Sequence, residues 1–256
     1  MTTDTTRSSH SSNPADDTGT PEAEWRRWPE LGRIPDLDLR GVREAAVVAP
    51  HPDDETLGFG GGLALLAANG VRLRIIAVTD GEASHPGSTA FTRDQLVAKR
   101  AAERAHALAA LGAADAEVVR LRLPDSGVGE WETALADRLV DLCGDADVCV
   151  APWEGDPHPD HETVGRAAAT SARTRGTRLL SYPVWTWHWS SPGDASVPWA
   201  RARRLGLSTD ARCRKDAAIL CFETQISPIG PEASDRAVLE PEMLAHFARD
   251  FEVVFA

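Results

Sequence analysis

Two short stretches carry the residue types that could do chemistry. Pro50-His51-Pro52-Asp53-Asp54-Glu55 is echoed about a hundred residues later by Pro157-His158-Pro159-Asp160-His161-Glu162. Imidazole nitrogen and carboxylate oxygen together form a donor set for a divalent metal, and a catalytic centre uses three protein ligands and leaves a fourth position to water. His51, Asp54, His158 and His161 are candidate ligands, with Asp53 and Asp160 as further carboxylates. That is enough for a metal site with a base to spare, and metal-assisted hydrolysis is the chemistry it suggests. A lone His-Pro-Asp is usually only a loop, in which Pro fixes φ and Asp caps a helix. Two copies, each after an apolar run and before a helical pattern, favour the metal reading. His158 and His161 stand three apart, so one helical turn can aim both at one ion.

The elements that must position these loops follow from the flanking patterns. Ala45-Ala46-Val47-Val48-Ala49 and Val148-Cys149-Val150-Ala151 read as buried strands. Each leads through its loop into a helix, and in an open α/β sheet such loops line the ligand crevice at the strands' carboxyl ends. Further strands are expected at 71–78, 116–123 and 177–184, with an alternating terminal strand at 251–255 on a sheet edge. Helices are expected from Gly58 to Ala68, over 92–111 and 131–142, from near Asp160 to Arg175, and over 210–225 and 241–250. In the 210–225 helix, Ala217, Leu220, Cys221 and Thr224 form the expected buried stripe. The fold class is an α/β, Rossmann-like three-layer sandwich with a mostly parallel sheet. Gly58, Gly60, Gly61 and Gly62 fit no nucleotide-binding spacing and predict close packing of helix on strand. Residues 1–22, polar and nearly without apolar anchors, are read as a disordered tail before one domain over 23–256.

Bulk composition narrows the partners. A formal charge of −12 argues against nucleic acid, which needs a basic face, and Arg201-Ala202-Arg203-Arg204 reads as solvated surface. No apolar run is long enough to insert in a membrane, and the opening residues lack a signal peptide, which predicts a cytoplasmic protein. Cys143, Cys149, Cys213 and Cys221 lack metal-type spacing, so thiolates do not hold the metal. Homo-oligomer formation is left open.

Three stretches together resemble the LmbE-like, or PIG-L, family of zinc-dependent N-deacetylases: Ala49 to Gly58, Thr79-Asp80-Gly81-Glu82, and Asp156 to His161. The resemblance implies His51, Asp54 and His161 as ligands and Asp53 as general base. It also implies His158 as an imidazolium that stabilises the oxyanion, with Asp160 orienting it. A tyrosine that some relatives carry two residues before that histidine is Asp156 here, which leaves Tyr182 to supply its role. Zinc is the implied cofactor, and a two-His, one-carboxylate set also suits ferrous iron. The implied substrate is an N-acetylated amino sugar in a small glycoside. Asp80 and Glu82 either contact its hydroxyls or satisfy the backbone of their turn, with the resemblance favouring the crevice, and Trp187, in the aromatic run from Trp185 to Trp189, either stacks on the sugar or packs in the core. Arg100 either reaches a hydroxyl or pairs with Glu103 along its helix. The alternatives are an amidase of mycothiol-type thiol conjugates and a non-catalytic metal- or sugar-binding module.

Overall fold

A computed structural model describes residues 19–256. Seven strands form one sheet: β1 (Glu44–Ala49), β2 (Arg72–Thr79), β3 (Glu117–Leu123), β4 (Val148–Pro152), β5 (Arg178–Tyr182), β6 (Ala202–Gly206) and β7 (Phe251–Phe255). Their order is β3-β2-β1-β4-β5-β7-β6, parallel from β3 through β5, with β7 antiparallel to both neighbours. The chain runs outward one way from β1 to β2 and β3, then returns to lay β4 on β1's other side. The order therefore reverses between β1 and β4, whose register pairs Ala45 with Val148 and Val47 with Val150. Crevices open at such switch points. The two His-Pro-Asp loops leave these two adjacent strands, and that is how residues a hundred positions apart meet.

Period-two alternation splits the core into two layers. Ala45, Val47, Ile75, Val148 and Val150 point to one face, and Ala46, Val48, Ile76, Cys149 and Ala151 to the other. The helices are α1 (Glu22–Arg27), α2 (Asp54–Ala68), α3 (Arg93–Ala110), α4 (Glu132–Cys143), α5 (Pro159–Arg175), α6 (Thr186–Trp189), α7 (Thr209–Ile219), α8 (Glu223–Ile226) and α9 (Pro241–Leu244). α2 and α7 cover the first face, α4 and α5 the second. Gly58 of α2 lies against Tyr182, where a Cβ would overlap the ring, so the expected close packing holds there.

Several boundaries differ from the sequence expectation. α2 begins at Asp54, a full turn before Gly58, which places a candidate ligand in its first turn. The 201–204 segment is only partly solvated surface: Arg201 is exposed, but Ala202–Gly206 is an edge strand, and the Arg204 guanidinium lies 4.5 Å over the Phe251 ring. β7 therefore sits inside the sheet, and its near-complete burial reflects two strand neighbours. The helix expected over 210–225 stops at Ile219. Leu220 is 70% exposed, and the buried positions of α7 are Ala211, Lys215, Ala218 and Ile219. Lys215 is buried because its Nζ reaches Glu252 at 2.6 Å and Leu57 O at 2.8 Å. The 241–250 helix is only α9 followed by a 3-10 turn. Residues 19–22 of the expected tail are ordered on the domain, with Thr20 Oγ1 donating to Ser190 O at 2.7 Å; the remainder of that segment lies outside the described residues. No described helix is long and apolar enough to cross a membrane.

Candidate metal centre

The first loop is held in a conformation that a free peptide would avoid. Asp53 has φ 140° and ψ −32°, a strained region for a residue with a Cβ, and such strain persists only where surroundings over-determine it. Its carbonyl accepts from Thr56 N and Leu57 N, both at 2.8 Å, so Asp53 starts α2 through its backbone. Its side chain is thereby released from capping, and Arg100 Nη2 donates to Asp53 Oδ2 at 3.0 Å. The same guanidinium donates to Pro52 O at 2.7 Å and Gly81 O at 2.9 Å, tying the loops after β1 and β2 together. Asp54 turns the other way. Its Oδ2 accepts from His51 N at 2.8 Å and lies 3.1 Å from His51 Nδ1 and 3.2 Å from His161 Nε2.

In the second loop, Pro159 opens α5 and His158 caps it, its Nδ1 accepting from Asp160 N at 3.2 Å. His161 follows in the first turn, fully buried. Its Nδ1 is bonded to Asp156 Oδ2 at 2.8 Å, whereas its Nε2 is buried without a hydrogen-bond partner. A buried polar nitrogen left unmatched at a site needs a reason, and a missing cation supplies one. His51, Asp54 and His161 each offer a ligand atom, all within 4.8 Å of one another. His51, His158 and Asp160 also offer ligand atoms this close together, but both Asp160 oxygens are otherwise engaged. Asp160 Oδ2 takes Ser126 N at 2.8 Å and His51 Nε2 at 3.2 Å, and its Oδ1 takes Val128 N at 3.2 Å. The first set, with its unmatched nitrogen, fits a divalent metal.

The charges around this point are out of balance. Burial pushes the Asp53 carboxyl up to about 7, with Asp54 and Glu55 adding to the effect against Arg100 and His51. For His161 burial opposes the charge, yet Asp54 and Asp156 outweigh it and push the imidazole up to about 9. Asp54 is held well below the carboxylate range by His161 and His51 despite its burial. His158 goes the other way: burial and the nearby His161 and His51 push it down to about 3.

A family model described as PIG-L, GlcNAc-PI de-N-acetylase, matches residues 46–172. A 1D-myo-inositol 2-acetamido-2-deoxy-alpha-D-glucopyranoside deacetylase from Acidothermus cellulolyticus is 30% identical over 239 residues, covering 74% of this chain and 82% of that protein. The chain belongs to the PIG-L family. A deacetylase of the same description from Rhodococcus erythropolis is 31% identical over 65% of this chain, which spans 63% of that relative's length. The crystal structure of the A40926 pseudoaglycone deacetylase Dbv21 superposes with a TM-score of 0.60 over 83% of this chain and 96% of that one, at 22% identity, a likeness of fold.

In this PIG-L chain the structure brings Asp53, His158, Asp160 and Arg100 together with the three candidate ligands, and Arg100 is on the cleft wall. Arg100 does not pair with Glu103, whose carboxylate accepts from Thr224 N and Oγ1, both at 2.7 Å. The Asp160 carboxylate is bonded to His51, while only its backbone N–H reaches the His158 ring, so the imidazole that the carboxylate orients is that of a candidate ligand. His158 is not an imidazolium here, because its Nδ1 accepts a backbone N–H. Asp80 and Glu82 are turned away from the cleft: Asp80 takes Arg120 Nε at 2.8 Å, and Glu82 takes Arg93 Nη2 at 2.7 Å. Trp187 packs in the aromatic core, its ring 5.1 Å from that of Trp25, and Trp185 lines the cleft in its place. Tyr182 cannot play the missing tyrosine, since it is fully buried and its hydroxyl donates to Val48 O at 2.9 Å.

Sequence reasoning missed two carboxylates. Asp156 is wholly buried and accepts from His161, from Val184 N, Trp185 N and Thr186 N, and from Thr186 Oγ1. It fixes the His161 ring, as carboxylates behind metal-bound imidazoles do. Asp125 Oδ1 lies 3.3 Å from His51 Nε2 and its Oδ2 accepts from Ala83 N at 2.8 Å. Its position just past β3, at a strand carboxyl end, was the available signal.

Proposed function

We propose that this PIG-L protein is a metal-dependent hydrolase that removes an N-acetyl group from an amino-sugar conjugate. His51, Asp54 and His161 hold the ion, zinc or ferrous iron. The observation that carries this reading is the buried, unpartnered Nε2 of His161 beside Asp54, with Asp53 facing the same cleft. A divalent ion bound there polarises the amide carbonyl and lowers the pKa of water. Asp53, clamped by Arg100, accepts the proton of the attacking water and returns it to the amine as the C–N bond breaks. Water's oxygen ends in acetate and the sugar leaves as a free amine. His158, with Nδ1 occupied by a backbone N–H, carries its own proton on Nε2 and donates it as a neutral hydrogen bond to the developing oxyanion. Asp156, Asp125 and Asp160 orient the two ligand imidazoles from behind.

The relatives' names supply the substrate class, a 2-acetamido-2-deoxyglucoside. The test is metal content of the purified protein together with amine release from N-acetylglucosaminides, with and without chelator. About one equivalent of metal and chelator-sensitive release are expected, with Asp53→Ala keeping its metal and losing at least about a hundredfold in turnover. A purified chain that holds no metal at any pH compatible with folding would overturn the reading.

A further inference from the structure

The cleft has two unlike halves. It encloses about 470 Å³, within the range of small-molecule sites, and its catalytic side is formed by the metal loops. Beside these, an apolar wall lines it: Leu57, Pro86, Val184, Trp185, Val238 and Leu239. Four of these six lie beyond the 46–172 segment that the family model matches.

This wall is fixed by polar contacts that point away from the cleft. Gln225 O accepts from Val238 N at 3.0 Å and Leu239 N at 2.9 Å, and neighbouring Thr224 is anchored to Glu103 on α3. Trp185 N is held by Asp156 Oδ2 at 3.0 Å, the oxygen that also holds His161. The Trp185 ring lies nearly parallel to His158, at 19° with centroids 6.1 Å apart. The wall is thus built rigidly onto the catalytic groups.

The polar groups that remain are mostly spoken for. Asp125 is taken by Ala83 N and His51, the two Nη atoms of Arg100 by two carbonyls and Asp53, with only its buried Nε left over, and Gln225 Nε2 by Thr224 Oγ1 at 2.9 Å. Ser84 Oγ lies 3.0 Å from His85 Nδ1, and Ser126 Oγ lies 3.3 Å from Asp125 Oδ1. A hydroxyl-rich group pressed against this side would give up water without gaining partners, which is costly, whereas a hydrocarbon group would gain from burial.

We infer that the substrate carries an apolar group beside the scissile amide, received by the wall of Trp185, Val238 and Leu239. The inference rests on the deacetylase reading for the identity of the cleft. The apolar group is the aglycone if the acyl group is acetyl, as that reading has it; an acyl chain longer than acetyl would replace acetyl in that reading, and the two products of hydrolysis distinguish them.

The test is calorimetric binding to the metal-loaded full chain, which requires no turnover. Hexyl 2-amino-2-deoxyglucoside is compared with its methyl analogue, and hexanoate with acetate. Each fully buried methylene is worth about fourfold in affinity, so at least about a tenfold preference for the longer member of one pair is expected. Preference within the glucosides assigns the wall to the aglycone, and within the carboxylates to the acyl chain. Trp185→Ala and Val238→Ser, each checked for unchanged metal content, are expected to erase that preference. No preference in either pair, or a preference that survives both substitutions, overturns the inference. Amine release from the methyl N-acetylglucosaminide separately reports whether the deacetylase reading itself stands.

Discussion

Two of the buried charge clusters among the described residues are built to opposite specifications. One is the candidate metal centre. The other lies where α1 docks on the C-terminal segment, with Glu22 held bidentately by Arg249 at 2.9 and 2.5 Å and by His246 Nδ1 at 2.9 Å. Arg249 is 4% exposed, and its guanidinium stacks 4.0 Å over the Trp187 ring, whose carbonyl accepts from Trp25 Nε1 at 2.8 Å. In this second cluster each named group faces a partner of opposite charge or an aromatic face, and nothing calls for a ligand. At the candidate metal centre, His161 Nε2 makes no hydrogen bond although Asp54 Oδ2 lies 3.2 Å away, Asp53 is strained and its carboxyl is pushed up to about 7. Burial of charge alone does not mark a function. Burial that leaves a remainder does, since perturbed groups in a cleft are where chemistry is arranged.

The largest expected effect comes from removing the remainder's counterpart. His161→Ala should lose the metal and bring amine release below about one thousandth of the parent, the scale of deleting a member of a catalytic unit. Full metal content in that variant would break the contrast at its root. Asp156→Ala should be milder, weakening metal affinity about ten- to a hundredfold by freeing the His161 ring. Competition with a chelator of known affinity reads that shift, and an unchanged affinity would show that Asp156 serves only the Trp185 turn. Glu22→Ala should leave metal stoichiometry intact and lower folding stability by about 3 kcal/mol, because it strands Arg249 without a counter-charge. Denaturant unfolding measures it, and a change in metal affinity would show that the two clusters are not separate.

What was legible in the sequence follows the same division. The candidate ligands and the carboxylates beside them stood out because a metal calls for imidazole and carboxylate at short spacing on loops, and strand patterns told where those loops emerge. Asp156 and Asp125 escaped because positioning carboxylates carry no spacing rule; they are recognisable only by what they touch. Trp187 was misplaced relative to Trp185 because a four-residue helix turns neighbours to opposite sides, and no periodicity resolves so short an element. The edge strand at Ala202–Gly206 was hidden by its arginines, whose aliphatic stems pack while their heads reach solvent or an aromatic ring. The α1 clamp joins residues over two hundred positions apart, a pairing that no local pattern encodes.

The smallest expected effect concerns that clamp in acid. Burial opposes ionisation of Glu22, yet the hydrogen bonds from His246 and Arg249 outweigh it and hold the carboxyl down from 4.5 to about 2. A carboxyl with a depressed folded value binds protons more readily when unfolded, so its contribution is fully present above the unfolded value and fades as pH falls toward the folded one. The window is therefore about 4.5 down to about 2. Acid will also strip metal and protonate the catalytic carboxylates, so the parent's own acid unfolding does not isolate Glu22. The difference between the metal-free parent and metal-free Glu22→Gln does, since the centre is common to both. That difference should be constant from about pH 7 to pH 5 and shrink below it. A difference that stayed flat to pH 3 would mean that Glu22 stabilises the docked helix by shape and neutral hydrogen bonds, and that its charge contributes nothing the amide cannot replace.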